Sequence, residues 1–541
     1  MSKQADNTKI ALKNLHEKVR HHYFIGLAVV MGLIVVVYVF LIKAVPGFIT
    51  DDYYIFYLIN KEPSSLFVHN PAEKFYLFYR PISYLYFRFL YALFGSDPIL
   101  MKAATLALLL VAIFLLMGIT DRFASYFRKE VSIFGSLLIP FFVAFHPDII
   151  ESVLWISDAN ELLMVTFYLL ALYIVSGILL GKYRPNFGSI VIAVLAFVLS
   201  VLSKQQSLHF PLLLGAFLLW KGKEIEQDKR RALWIIAGIT LGIMAVILWS
   251  NVTLYLTRDS SENLFMVIWK KPFALAGTLL YILFPLYGLE IYSYFLMHKI
   301  VAITVSIFCV LICYVLIRKK YIPFKTITVY SLVIVIIFFP RIFLPASDRI
   351  NVLQVFCIGT MFFAAITGNK VKMIRFSAVL IVCSLLAGSI AFQKYRSETD
   401  YANKMNFDLE QFLSHQQGKT FVLAYYLPIS TTQNSLYYVK NNKFGVDSTI
   451  LYSGVVVRNS LTSFIKPTGF YSTVRKDTIE VYSSGPNVEI YIDNNTKAPT
   501  IIDSTYGVRG FSFLRYVLHP DVSQKSRNMI VYTDSGWVKL N

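Results

Sequence analysis

Long apolar, uncharged runs recur along the first 390 or so residues of this chain. The clearest are 24–42, 103–120, 233–254, 300–317 and 326–340; shorter or weaker windows lie at 131–146, 160–180, 188–203, 207–220, 352–367 and 376–392. A crossing helix needs about 20 mostly apolar residues, because every backbone N–H and C=O must pair inside the helix where water is absent. The pattern therefore predicts an all-α polytopic membrane protein of about 11 transmembrane helices. Residues 1–22 are polar and basic, and no small-residue cleavage site follows the first apolar run. They read as a cytoplasmic segment ahead of a retained first span.

Beyond residue 392 the pattern changes. A polar connector near 393–415 leads to short stretches, Thr420–Tyr426, Thr449–Val457, Thr478–Tyr482 and Val488–Ile492, rich in Val, Ile, Tyr and Thr and mostly bounded by Gly, Asn, Asp or Pro. Such stretches predict strands. The expected organisation is thus a segment 1–22, a transmembrane body 23–392 with a long first outer loop at 43–102, and an extracytoplasmic β-rich or α/β domain at 393–541. The tail carries no repeat, no CxxC, no glycine-rich phosphate loop and no heptads.

Composition agrees with the pattern: 56% of the 541 residues are hydrophobic, 16% are aromatic and mean hydropathy is +0.58. That is far more apolar surface than one soluble core buries, so lipid is the expected solvent. The formal charge of +19 changes the picture only through its placement. Basic residues cluster between spans at Arg122–Lys129, Lys182–Arg184, Lys221–Arg231, Arg318–Lys325 and Lys370–Arg375, whereas residues 400–541 hold 14 Lys+Arg against 11 Asp+Glu. This is the positive-inside pattern of cytoplasmic loops rather than a nucleic-acid surface, and no nucleic-acid partner is expected. If the apolar stretch 273–289 crossed, Arg318-Lys319-Lys320 would lie outside. Broken by Pro285 and Gly288, it reads instead as an interfacial or re-entrant helix, which leaves the N-terminus inside and the C-terminus outside. All four cysteines, Cys309, Cys313, Cys357 and Cys383, fall in predicted spans and read as small packing residues. Sparse cysteine and the lack of obvious sorting signals fit a bacterial inner membrane, the outer side being the periplasm.

Candidate chemistry collects in the outer loops. Asp51 and Asp52 follow the first span in VPGFITDDYYIFY; two adjacent carboxylates repel, and the pair reads either as a solvated turn or as a base or metal ligand offset by a cation or proton. The stretch Phe75–Phe94 mixes ten aromatics with Arg80 and Arg88, which suits a helix in the headgroup layer. Residues 144–163, AFHPDIIESVLWISDANELL, place His146, Asp148, Glu151, Asp158 and Glu161 between two apolar spans. Ionisable groups at such depth line polar cavities, and Asp158 with Glu161 three residues on also suits a capping box. In VLSKQQSLHFPLLL, Lys204 and His209 sit between spans joined by almost no loop; Lys204 either snorkels or contacts an anionic phosphate. FFPRIFLPASDRINVLQ adds Arg341, Asp348 and Arg349, and the guanidinium fork suits phosphate.

The order of these motifs resembles the GT-C superfamily of polytopic glycosyltransferases, especially its protein O-mannosyltransferase and tetratricopeptide-linked mannosyltransferase branch. DDYY at 51–54 is similar to the acidic pair of that family's first outer loop, and FYRPISYLYFRFLYALFG at 78–95 to its arginine-proline segment. HPDIIESVLWISDANELL at 146–163 is similar to its His-Pro, Glu and Trp-Ile-Ser loop, and LSKQQSLHFPLLL at 202–214 to its Ser-Lys turn. The likeness covers residues 20–220 and, more loosely, 340–365. Two departures stand out: Asp158-Ala159-Asn160 occupies the place where the family loop carries an arginine, and the tail holds no tetratricopeptide pattern.

The resemblance implies transfer of a sugar from a polyprenyl-phosphate-linked donor to a glycan, lipid or protein acceptor at the outer face of the membrane. In that reading Asp51 or Asp52 is the general base, Arg80, Lys204 and Arg349 hold the carrier phosphate, and His146, Glu151, Asp158 and Glu161 line the substrate site. The superfamily includes members that use a divalent metal ion, for which Asp52 and Glu151 are the oxygen ligands to test. Two other classes compete. The same charges would line the pathway of a transporter or flippase for an anionic lipid or lipid-linked sugar, which predicts inverted repeats and mid-membrane charges. An outer-face ligase or a non-catalytic assembly factor would use the tail to bind its partner.

Overall fold

The computed structural model describes residues 24–48, 52, 55, 80–126, 133–257, 336–337, 352–359, 381–393, short pieces between 395 and 407, and strands between 420 and 540. Asp51, Arg341, Asp348, Arg349, Cys309 and Cys313, the stretch 273–289 and the predicted span 300–317 lie outside the described residues, as do most of the span at 326–340 and half of that at 352–367.

The helices in chain order are α1 (Phe24–Ala44), α2 (Pro81–Phe94), α3 (Pro98–Tyr126), α4 (Ile133–Ala144), α5 (Pro147–Leu154), α6 (Ala159–Leu179), α7 (Phe187–Ser203), α8 (Phe210–Lys221), α9 (Gln227–Thr257) and α10 (Ile381–Gln393). Four of the described helical runs, Phe24–Ala44, Pro98–Phe123, Ile156–Leu179 and Gln227–Trp249, are long and apolar enough to cross a membrane. The chain is a predominantly helical, membrane-embedded protein. Helix α1 shows why lipid must cover it: Leu27, Val30, Ile34, Tyr38 and Ile42 form a buried stripe at helical spacing, while Phe24, Val29, Leu33, Val36 and Phe40 stand exposed on the remaining surface. On α9, Trp234, Ile235, Ile239, Val246 and Trp249 are exposed in the same way.

Chain connectivity divides into two compact units, one of residues Met1–Lys43, His69–Leu154 and Asp158–Phe392, the other of Ala44–Val68, Trp155–Ser157 and Gln393–Asn541. In the first unit α6 is central. Of its apolar window 72% is buried, against 28% for α1, and it packs most extensively on α7 and α3. The α6–α7 hairpin turns on Gly181, whose φ of 70° is cheap only for glycine. The Lys182 amide reaches the Gly177 carbonyl at 2.8 Å and the Gly181 amide that of Ile178 at 3.1 Å, a Schellman closure. Asn186 then caps α7 by accepting the Ser189 amide at 3.0 Å. This hairpin brings the start of α6 and the end of α7 to one end of the bundle.

At that same end the chain departs from the expected outer loop at 144–163. Apart from breaks at residues 145–146 and at Trp155, those residues are helical, and they are buried; α4 and α5 form a pair bent by 61°. Pro147 causes the first break: it has no N–H, and it disfavours helical conformation at His146. The backbone groups released there are satisfied locally. The Tyr38 hydroxyl donates to the Ala144 carbonyl at 2.5 Å, and the His146 ring accepts the Asp148 amide at 3.3 Å.

In the second unit, strands β1 (Thr420–Leu423), β2 (Leu451–Tyr452), β3 (Val455–Asn459), β4 (Phe470–Arg475), β5 (Thr478–Ser483), β6 (Val488–Ile492), β7 (Thr500–Val508), β8 (Phe511–His519), β9 (Asn528–Thr533) and β10 (Gly536–Leu540) are described. They pair in the orders β10-β9-β1-β2, β3-β6 and β4-β5-β8-β7. β1 runs parallel to both neighbours, with Phe421 opposite Leu451 and Met529; β5 and β8 run antiparallel, with Val481 opposite Tyr516.

Candidate functional site

In the first unit a group of ionisable side chains is buried where α2, α5, α6 and the Gln205–His209 turn begin. Lys204, the residue after α7, donates its ammonium to Glu161 Oε1 in the first turn of α6, and both side chains are buried. The snorkelling role open to Lys204 does not occur, because its partner lies inside the bundle. The Gln206 side-chain amide donates to the same Glu161 oxygen at 3.3 Å. A carboxylate only accepts, so Gln206 Nε2 must face Glu161 and Oε1 must point away. Glu161 Oε2 and Gln206 Oε1 are both buried and have no hydrogen-bond partner among the described residues; Asn160 Oδ1 and Gln354 Oε1 share that condition.

Asp158 does not form the anticipated capping box. Its backbone sits at φ −90°, ψ −3°, with no side-chain cap bond, and its carboxylate instead accepts the Ser152 hydroxyl at 2.8 Å. The box fails because each partner is engaged elsewhere, Asp158 by α5 and Glu161 by Lys204. Asp158 lies in the field of Lys204, Glu161 and Glu151, so α5, the turn after it and α6 each supply one carboxylate to that field.

Arg80 is the second cation. It precedes α2, whose Pro81 fits the first helical position, and the Tyr84 amide closes the turn on the Arg80 carbonyl at 3.2 Å. Ser83, one turn on, donates to the Ser203 carbonyl at 2.8 Å and so fixes α2 beside Lys204. Loss of solvent lowers the Arg80 pKa from the ordinary guanidinium value, while Glu161, Tyr84 and Asp158 pull it back up. His146 is buried at the head of α5; since its Nδ1 accepts the Asp148 amide, the ring proton of the neutral form sits on Nε2.

His209 closes the turn that carries Lys204. Its Nδ1 reaches the Gln206 carbonyl at 3.0 Å and Nε2 the Tyr168 hydroxyl at 2.9 Å. A carbonyl cannot donate, so Nδ1–H donates and, in the neutral ring, Nε2 accepts from Tyr168.

In the second unit Asp52 is fully buried and accepts two backbone amides, Ser157 N at 2.5 Å and Ile156 N at 3.3 Å. It is not a solvated turn. Among the described residues no group of three or more His, Cys, Asp or Glu side chains comes together as a metal cage.

The structure thus describes Asp52, Arg80, His146, Glu151, Asp158, Glu161 and Lys204 from the predicted set, and within the first unit it groups Arg80, Glu151, Asp158, Glu161 and Lys204. Sequence reasoning missed Ser152, Asn160, Gln206 and Gln354. Gln206 had a signal, standing two residues from Lys204 in an apolar surround; the others had none beyond being polar. No protein-family model and no curated protein matches this chain.

Proposed function

We propose that this chain is a membrane glycosyltransferase of GT-C type that moves a sugar from a polyprenyl-phosphate-linked donor to an acceptor hydroxyl. The observation that carries the reading is the buried assembly of Lys204 with Glu151, Asp158 and Glu161, with the half-buried Arg80 in the same field, at one end of an apolar bundle. Burying four ionisable groups is costly, and structural need alone is met more cheaply by apolar packing. Intramembrane ionisable groups mark function by default.

In this reading Asp52 removes the proton of the acceptor hydroxyl as that oxygen attacks the anomeric carbon, and the bond from that carbon to the carrier phosphate breaks. Two backbone amides orient the Asp52 carboxylate, which supports its assignment over Asp51. The phosphate leaves with negative charge, which Lys204, Arg80 and Arg349 stabilise. Lys204 has three N–H donors and spends one on Glu161. In a dry site such charge stabilisation is strong. No step runs through a metal. The proposal further places the chain in a bacterial inner membrane, with about 11 spans, the N-terminus cytoplasmic and residues 393–541 as a periplasmic domain.

The test is transfer of labelled sugar from a polyprenyl-phosphate donor by protein in proteoliposomes. Asp52→Asn is expected to lower the rate by about 10²–10⁴ with insertion intact. Full activity in Asp51→Asn, Asp52→Asn and the double variant overturns the assignment. Movement of the donor across the bilayer without a covalent product replaces the reading with that of a flippase.

A further inference from the structure

Resting on that reading, we infer that Glu161 and Gln206 form a subsite that accepts hydroxyl protons from the transferred sugar, distinct in role from the cations that hold its phosphate. Both side chains are nine-tenths buried or more, and they are joined to each other at 3.3 Å. Each keeps one acceptor oxygen, Glu161 Oε2 and Gln206 Oε1, without a donor among the described residues. Leaving such an oxygen unsatisfied is costly, so a pair of them in one cluster calls for a ligand that brings donors.

The local charge balance narrows the ligand. Glu161 is already neutralised by the Lys204 ammonium, and Arg80 adds a second positive charge in the same field. A cation entering here meets two positive groups. A phosphate oxygen suits Lys204 and Arg80 but has no proton to offer Glu161 Oε2 or Gln206 Oε1. A neutral group with two adjacent O–H donors fits both oxygens, and a vicinal diol on a sugar ring is such a group. The arrangement divides the donor between its two chemistries, phosphate on the cations and ring hydroxyls on the acceptors. A site built to receive hydroxyl protons discriminates strongly against an analogue that lacks them, which makes Gln206 a specificity residue rather than a structural one.

The experiment is calorimetric binding of purified full-length protein to undecaprenyl phosphate, alone or bearing mannose, glucose, galactose or N-acetylglucosamine, which reads the subsite apart from turnover. At least one sugar-bearing lipid is expected to bind about 10-fold or more tightly than undecaprenyl phosphate itself, and Gln206→Met is expected to erase most of that difference while leaving the bare lipid phosphate bound as before. A deoxy form of the preferred sugar, lacking one hydroxyl of the diol, should bind the wild type and Gln206→Met almost equally, a coupling that general loosening of the fold does not produce. Equal binding of bare and sugar-bearing lipid by the wild type overturns the subsite, as does a Gln206→Met loss that is the same for both lipids. Sugar transfer that persists with either result leaves the glycosyltransferase reading standing without the subsite. Tight sugar-dependent binding with no transfer keeps the subsite and removes the reading.

Discussion

Lys204 and Glu161 stand 43 residues apart in the chain and meet as a buried ion pair, the ammonium donating to Glu161 Oε1. The contact ties the end of α7 to the first turn of α6. Removing one member leaves the other charged in a low-dielectric site, where the cost of the orphan exceeds what the pair contributes.

Lys204→Met alone, or Glu161→Leu alone, should therefore destabilise by about 3–5 kcal/mol. The double change Lys204→Met with Glu161→Leu should cost less than the sum of its singles, since no charge is left without its counterpart. Thermal unfolding of the three variants in one detergent reads this directly. Strict additivity would mean that the pair is a surface-like contact worth little.

Asp52 makes a separate prediction through its two amides. Asp52→Ala takes the acceptor from Ile156 N and Ser157 N and should weaken their protection by about 1–3 kcal/mol, a 5- to 150-fold faster hydrogen exchange. Exchange measured by mass spectrometry on peptides spanning Trp155–Ser157 checks it. Unchanged exchange there would show that the carboxylate does not hold this turn.

Much of the helical body was legible because apolar length is a strong local signal: the windows at 160–180, 188–203 and 207–220 correspond to α6, α7 and α8 within a few residues. The site was harder to read. Residues 144–163 looked like an outer loop because they carry five ionisable side chains, yet they are buried and, breaks at 145–146 and Trp155 apart, helical. Local hydropathy charges each acid its full desolvation cost. It has no means to credit Glu161 with Lys204, or Asp158 with the Ser152 hydroxyl, because those partners are set by tertiary packing. Arg122 misled in the same way. It reads as the first residue of a basic loop, but it lies inside α3, buried against Tyr173.

Close packing of α10 on the break between α4 and α5 supplies a third test. A Cβ added at Gly388 would come within 2.7 Å of the Phe145 carbonyl oxygen and 2.6 Å of Ile150 Cδ1. The side-chain carbon can turn away; the backbone oxygen cannot. Gly388→Ala should cost about 1–3 kcal/mol by overpacking. Gly242, which has open space around it on α9, is the control: Gly242→Ala in the same assay should be neutral or slightly stabilising, since alanine is the better helix former.

The far end of the bundle from Lys204 rests on one guanidinium. Arg122 lies 3.4 Å from the centroid of the Tyr173 ring and donates to the Tyr173 carbonyl, to Ser176 Oγ at 3.3 Å and to the Tyr183 hydroxyl at 3.2 Å. These contacts join α3, the last turns of α6 and the turn after it. A lysine ammonium cannot stack flat on the ring while donating in three directions, so Arg122→Lys should lose about 2–3 kcal/mol despite keeping the charge. Tyr183→Phe removes a single donor–acceptor contact and should lose about 1 kcal/mol. Because α6 separates the two ends by its full length, Arg122→Lys and Lys204→Met share no partner, and their shifts in unfolding temperature should add. A large coupling between them would mean that α6 transmits strain from one end to the other.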